Sequence, residues 1–121
     1  MRWLAAALLA VAATAAEAQD LRRGERVFTR CIACHSLEER GPTSGPSLIG
    51  VVGRKAAALP DFDYSPVLVE AGRKGLVWTE EVLDRYLADT EAFLPGTVMG
   101  YLSISNAADR RALIDLLKAA R

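Results

Sequence analysis

At 121 residues the chain has the size of one domain, with no room for two of ordinary size. Its 51% hydrophobic content is raised by an alanine-rich N-terminus, and the remainder has the ordinary balance of a globular domain, which excludes disorder, collagen and coiled coil. Lys plus Arg number 15 and Asp plus Glu number 15, so the net charge is +0 and nothing argues for nucleic-acid binding. The scarce residues say more: the whole chain has two cysteines, one histidine and two methionines.

The chain opens on MRWLAAALLAVAATAAEAQ. Arg2 supplies an early positive charge, Trp3 to Ala16 an apolar run broken only by Thr14, and Ala16-Glu17-Ala18 a small-residue site. This is the three-part pattern of a secretory signal, so residues 1–18 are expected to be cleaved and the domain to occupy 19–121, starting at Gln19. A membrane span needs about 20 apolar residues, and this run is shorter and dominated by alanine, which disfavours a retained anchor. A mitochondrial presequence would be richer in Arg and Ser. The expected destination is therefore a bacterial periplasm, with no stable membrane insertion after cleavage.

Asp20 is placed to cap a first helix from about Leu21 to Ala33, with Leu21, Gly24, Val27, Phe28 and Cys31 on one face. At its end Cys31-Ile32-Ala33-Cys34-His35 forms the c-type haem attachment pattern. Helical residues three apart lie on one side a turn apart, so both thiols can reach the two vinyl groups on one edge of a porphyrin. His35 follows directly, and its neutral imidazole can ligate the iron. A structural disulfide and a thiol–disulfide redox pair also use two cysteines of an exported chain. The redox reading wants βαβ surroundings that are missing here, and zinc fails on count, because two Cys and one His leave a tetrahedral site one ligand short.

From Glu38 to Pro60 glycines and prolines recur without a period, which predicts a long loop wrapping the cofactor. Ser65-Pro66 then reads as an N-cap with Pro at the first helical position, and Gly72 as the end of a short helix near Ala71. Thr79 caps the next helix, with Glu80 and Glu81 favourably placed in its first turn and Val82, Leu83, Tyr86 and Leu87 as its apolar stripe. A last helix starts near Ser105 or Asn106 and runs to the C-terminus, with Ala112, Leu113, Leu116 and Leu117 facing inward. No strand pattern of useful length appears. A small helical domain of this kind has a modest core, so a buried haem would add needed apolar surface, and the apo chain is expected to be poorly folded.

A second axial ligand follows by elimination. His35 is already used, there is no third cysteine, and Met1 leaves with the signal, so Met99 remains. A lone methionine is more often core filler than ligand. Met99, however, sits in Leu94-Pro95-Gly96-Thr97-Val98-Met99-Gly100, a turn-forming segment flanked by glycines. A lysine ligand and an open iron site stay as alternatives. His/Met ligation would raise the reduction potential, fill both axial positions and favour electron transfer over oxygen chemistry.

Beyond the haem motif the chain carries Gly24-x3-Phe28, Gly45-Pro46-Ser47-Leu48-x-Gly50, Gly53-Arg54-Lys55, Phe62-x-Tyr64-Ser65, Gly75-x2-Trp78, Tyr86-Leu87 and Pro95-Gly96-Thr97-x-Met99. In this order and spacing the set resembles class I cytochrome c, the branch shared by mitochondrial cytochrome c and bacterial carriers, from Gly24 to about Leu117. The resemblance implies a small all-α fold wrapped around one covalent haem c on Cys31 and Cys34, with His35 and Met99 on the iron. It further implies that the Pro46 carbonyl accepts the His35 N–H. Arg54, Tyr64, Trp78 and Thr97 match positions that hydrogen-bond haem propionates or their surroundings, and Tyr86 matches the residue whose hydroxyl approaches the methionine ligand. Three positions depart from the family pattern. Thr90 stands where a proline is common, Tyr101 where the aromatic is usually Phe, and Leu68 about where a polar residue often sits.

The function implied is an electron carrier, not an enzyme. Its donor would be a dehydrogenase or cytochrome complex, and its acceptor an oxidase or reaction centre. A dedicated electron-accepting subunit of one periplasmic dehydrogenase is the alternative, and a haem enzyme or gas sensor would need an open iron site. The only lysines are Lys55, Lys74 and Lys118, and Glu91, Ala92, Phe93 and Val98 stand around the ligand loop. Strong steering toward an acidic partner is therefore not expected.

Overall fold

Residues Arg2–Phe28 form one uninterrupted helix, α1, in the computed structural model, which describes residues 2–38 and 44–121 and the side chains from Thr14 onward. The alanine-rich run is strongly helix-forming and holds no glycine or proline before Gly24, so nothing stops the helix short of the N-terminus. Asp20 consequently lies inside α1. The expected cap at Asp20 and start at Leu21 are corrected by this continuity.

The other end also differs from the expected stop at Ala33. After Phe28 the backbone tightens into turns, with Arg30 N donating to Val27 O at 3.1 Å and Cys31 N to Phe28 O at 2.8 Å. Cys34 N and His35 N then both donate to Cys31 O, at 3.1 and 2.9 Å. Turns with i to i+3 bonds have three residues per turn and stack positions i and i+3, so Cys31 and Cys34 keep a shared side without an α-helix.

Helix α2 spans Pro66–Arg73, with Pro66 in its first turn and the Ser65 hydroxyl accepting from Leu68 N at 3.4 Å. Its end is not Gly72. That glycine lies within the helix, where a Cβ would run into the Ala56 carbonyl, and Gly75, at φ +93°, supplies the left-handed turn that follows. Helix α3 covers Glu80–Ala88, capped by Thr79 Oγ1 accepting from Val82 N at 3.1 Å, with both expected glutamates in the first turn. An unexpected short helix, α4, spans Thr90–Phe93, its start fixed by Asp89 accepting from Ala92 N at 3.0 Å. Helix α5 runs Ala107–Ala119, with Asn106 Oδ1 accepting from Ala108 N and Asp109 N at 2.9 and 3.1 Å.

Among the described residues there is no strand; an isolated bridge pairs Lys55 with Val77 and ties the 44–64 loop to the α2–α3 connection. Helix α5 packs against α1 and α3. The α1 contact is tight at Gly24, where a Cβ would stand 2.5 Å from Ala112 O, and Arg23 clamps it by pairing with Asp109 at 2.7 Å. The core gathers Leu83, Tyr86 and Leu87 of α3 with Leu113, Ile114 and Leu117 of α5, plus Val51, Trp78 and Ile104 from the connections. Leu116, expected to face inward, is only half-buried. No helix among the described residues is long and apolar enough to cross a membrane.

Candidate haem site

A cavity of about 300 Å³ opens between the turn after α1, the 44–64 loop, the helices α2, α3 and α5, and the segment around Met99. Every expected site residue except Thr97 lines it: Cys31, Cys34, His35, Pro46, Arg54, Tyr64, Trp78, Tyr86 and Met99. Apolar wall comes from Leu48, Val51, Leu83, Leu87 and Leu113. The long loop does wrap this cavity on its described side, while residues 39–43 of that expected loop lie outside the described residues.

His35 is the most tightly specified member. Its Nδ1 lies 2.7 Å from the Pro46 carbonyl, which can only accept, so Nδ1 carries the proton and Nε2 keeps its lone pair for a metal. Gly45 makes this approach possible: its N–H donates to Cys34 O at 2.8 Å, and a Cβ there would stand 2.6 Å from His35 Cε1. Both cysteines are free thiols. Burial raises the pKa of the Cys31 thiol, an effect that neighbouring Arg30 only partly opposes. A neutral sulfur in apolar surroundings suits a thioether. Among the described residues no group of three or more His, Cys, Asp or Glu is placed to hold a metal.

Met99 is 41% exposed, unlike a residue that merely fills a core, and its sulfur accepts from the Tyr86 hydroxyl at 3.7 Å. Tyr86 is buried, packs on Trp78 with ring centroids 5.0 Å apart, and its phenol is pushed above its ordinary pKa by that burial, more than the nearby Thr97 hydroxyl offsets. It is therefore a neutral donor at physiological pH.

Two polar groups are incompletely answered. Thr97 Oγ1 is buried and makes no hydrogen bond of good geometry. Arg54, half-buried, donates to Ser47 O at 2.8 Å and Ile49 O at 3.2 Å, yet among the described residues no carboxylate pairs with it. Burial lowers its pKa, but a guanidinium stays charged, and a half-buried cation without an anion is unfavourable. The Tyr64 hydroxyl accepts from Leu59 N at 3.3 Å, and its ring meets Phe62 edge-on at 4.9 Å. An apolar cavity with two thiols, an imidazole, a thioether and an unanswered cation fits a flat apolar cofactor bearing carboxylates, as haem does.

Leu68 and Tyr101, two of the three departures from the family pattern, also line the cavity, and Tyr101 is 69% exposed. Sequence reasoning missed Arg30, which lines the cavity and donates to Ser103 O at 3.3 Å. Arg22 and Arg26 precede it at four-residue intervals, and all three are exposed and carry no ion pair with a described residue. A count of lysines overlooks them, although the spacing was visible.

These features define a class, the small all-helical proteins that hold haem covalently and transfer electrons. The chain belongs to the cytochrome c family, whose model (Cytochrome c) matches residues 21–120. It is 50% identical over 76 residues to a cytochrome c2 of Rhodopseudomonas palustris, a stretch covering 63% of this chain and 65% of that one. With a cytochrome c type-1 of Ascaris suum it shares 38% identity over 100 residues, 82% of this chain and 87% of the other. The solved structure of a cytochrome c2 from Rhodospirillum centenum superposes with a TM-score of 0.75 at 32% identity, over 83% of this chain and 97% of that one. The chain is accordingly an electron carrier, not an enzyme, with one covalently bound haem c.

Proposed function

We propose that the chain is exported to a bacterial periplasm, loses residues 1–18, and there passes single electrons between redox proteins through haem tethered to Cys31 and Cys34 and ligated by His35 and Met99. The observation that carries this reading is the convergence on one cavity of both thiols, an imidazole aligned by Pro46 at 2.7 Å and a thioether aligned by Tyr86 at 3.7 Å. Haem c, when bound, supplies reversible one-electron exchange at its iron. The protein's part would be to hold both iron donors, His35 and Met99, in place. His35 gains donor strength from its bond to Pro46. Arg54, which has no carboxylate partner among the described residues, and the Thr97 hydroxyl would answer propionate oxygens, with Tyr64 and Trp78 alongside. The apolar walls keep water out and limit reorganisation.

The test is a pyridine haemochrome assay on protein from a periplasmic fraction, with its intact mass. A covalent haem and a chain beginning at Gln19 are expected. Met99→Ala should abolish the ferric iron–thioether absorption band and shift the potential; a variant that keeps both would remove Met99 as the ligand. Partners are a donor dehydrogenase or cytochrome complex and an acceptor oxidase or reaction centre. A dedicated subunit of one dehydrogenase is a second reading, favoured by Val98 and Tyr101, which line the cavity yet are 76% and 69% exposed. Co-purification with a dehydrogenase at high salt would support it.

A further inference from the structure

The segment that carries Met99 has glycines at two of its joints, Gly96 at φ +92° and Gly100 at φ +86°, so its own backbone restrains it little. What restrains it is Thr90, a side chain with 0% exposure at the first position of α4. The Thr90 hydroxyl donates to Gly100 O at 3.2 Å and accepts from Leu102 N at 2.9 Å. Thr90 N donates in turn to Leu102 O at 3.0 Å. One residue thus makes three bonds to the strip that begins immediately after Met99. Farther along, Ser103 Oγ bonds Ala88 O at 2.8 Å and Ile104 N bonds Leu87 O at 2.9 Å, so the strip is laid along α3 from its far end up to Thr90. Thr90 is the last stitch before the ligand. A proline, common at this position in the family, has neither the N–H nor the hydroxyl and would make none of the three.

We propose that Thr90 is a positioning residue for Met99: its hydroxyl, shared between Gly100 O and Leu102 N, sets how long the thioether stays on the iron. This rests on Met99 being the axial ligand, as proposed above. The hydroxyl uses its single donor and one acceptor site here, so both part-buried bonds are lost together when it is removed, and Gly100 O and Leu102 N lose the partner it gave them. Opening the strip to water repairs those groups. Loss of the hydroxyl therefore favours the open, Met-off form.

The experiment measures binding of exogenous imidazole to the ferric holoprotein, at imidazole concentrations where the rate is limited by release of Met99. Thr90→Val keeps the shape and removes the hydroxyl, and should accelerate release about tenfold, the factor expected when hydrogen bonds of this kind are lost. Thr90→Ser restores the hydroxyl and should return the rate toward that of the parent. Ile114→Val, at a fully buried α5 position outside the cavity lining, lowers global stability without touching the strip and should leave the rate unchanged. A parental rate in Thr90→Val overturns the proposal, and so does equal acceleration in Thr90→Val and Ile114→Val, which would make Thr90 merely structural. Failure of the underlying reading is separately visible: if Met99 is not the ligand, the parent lacks the iron–thioether band and Met99→Ala binds imidazole at the parental rate.

Discussion

Gly45→Ala tests the proximal side of the site. The new methyl would stand 2.6 Å from His35 Cε1, 2.8 Å from Nδ1 and 3.0 Å from Cys34 O. Carbon atoms in ordinary contact are about 3.5 Å apart or more, so something must give by about 1 Å. Gly45 N is held to Cys34 O at 2.8 Å, so the imidazole yields more readily than the backbone, and its Nδ1–H is drawn off the Pro46 carbonyl at 2.7 Å. Such a bond is worth about 1 kcal/mol net. It strengthens the imidazole as a donor and so favours the ferric state; weakening it raises the reduction potential. If the whole of that energy acts on the ferric state alone, the upper bound is a rise of about 40 mV, taking 59 mV per tenfold for one electron. Potentiometric titration of the holoprotein reads this directly. Gly50→Ala is the control, because its Cβ meets nothing within 4 Å while its φ of +69° strains the same loop, so it should lower stability and leave the potential in place. An unchanged or lowered potential in a folded Gly45→Ala protein refutes the argument, as does an equal rise in the control.

Other consequences are as direct. Gly24→Ala would ordinarily strengthen a helix by about 1 kcal/mol, but its Cβ would meet Ala112 O at 2.5 Å and Leu116 Cβ at 3.2 Å, so a net loss of about 1–3 kcal/mol in urea unfolding is expected; a gain would mean that α1 and α5 are not closely packed there. Arg30→Glu should slow electron transfer with an acidic-faced partner at low ionic strength and converge on the parental rate at high salt. Identical salt profiles would remove Arg30 from the docking face. The chain produced without haem should lack a cooperative thermal transition by circular dichroism, because the core residues Leu83, Leu87 and Leu113 also line the cavity; a native-like cooperative transition would contradict this.

What could be read from the sequence was local. The caps at Ser65, Thr79 and Asn106 act on N–H groups no more than three residues away, and the Cys31-x2-Cys34-His35 spacing is itself the chemistry. What could not be read depends on partners distant in the chain. Gly72 and Gly75 look alike as helix stops, but Gly72 is small because the Ala56 carbonyl presses on it, whereas Gly75 provides the positive φ. Ile114 falls off the single stripe predicted for the last helix and is nonetheless 0% exposed, because α5 is covered from two sides, by α1 and α3. In the sequence Thr90 is only a departure from a family pattern; its bonds reach 10 and 12 residues along an irregular segment with no period to betray them.

The same distinction governs the charges. A net charge of +0 describes the whole chain, but some charges are cancelled away from the cavity, in pairs that brace α5: Arg110 with Asp84 at 2.8 Å, Arg111 with Glu80 at 3.2 Å, Lys118 with Glu80 at 3.4 Å and Arg23 with Asp109 at 2.7 Å. A docking partner responds to what lies within a Debye length of the contact, about 8 Å at physiological ionic strength. At the cavity that charge includes Arg30, unpaired among the described residues, beside the apolar Val98 and Tyr101. Exchanging Arg30 therefore alters the encounter in a way that exchanging Arg111 does not, although both changes shift the net charge equally.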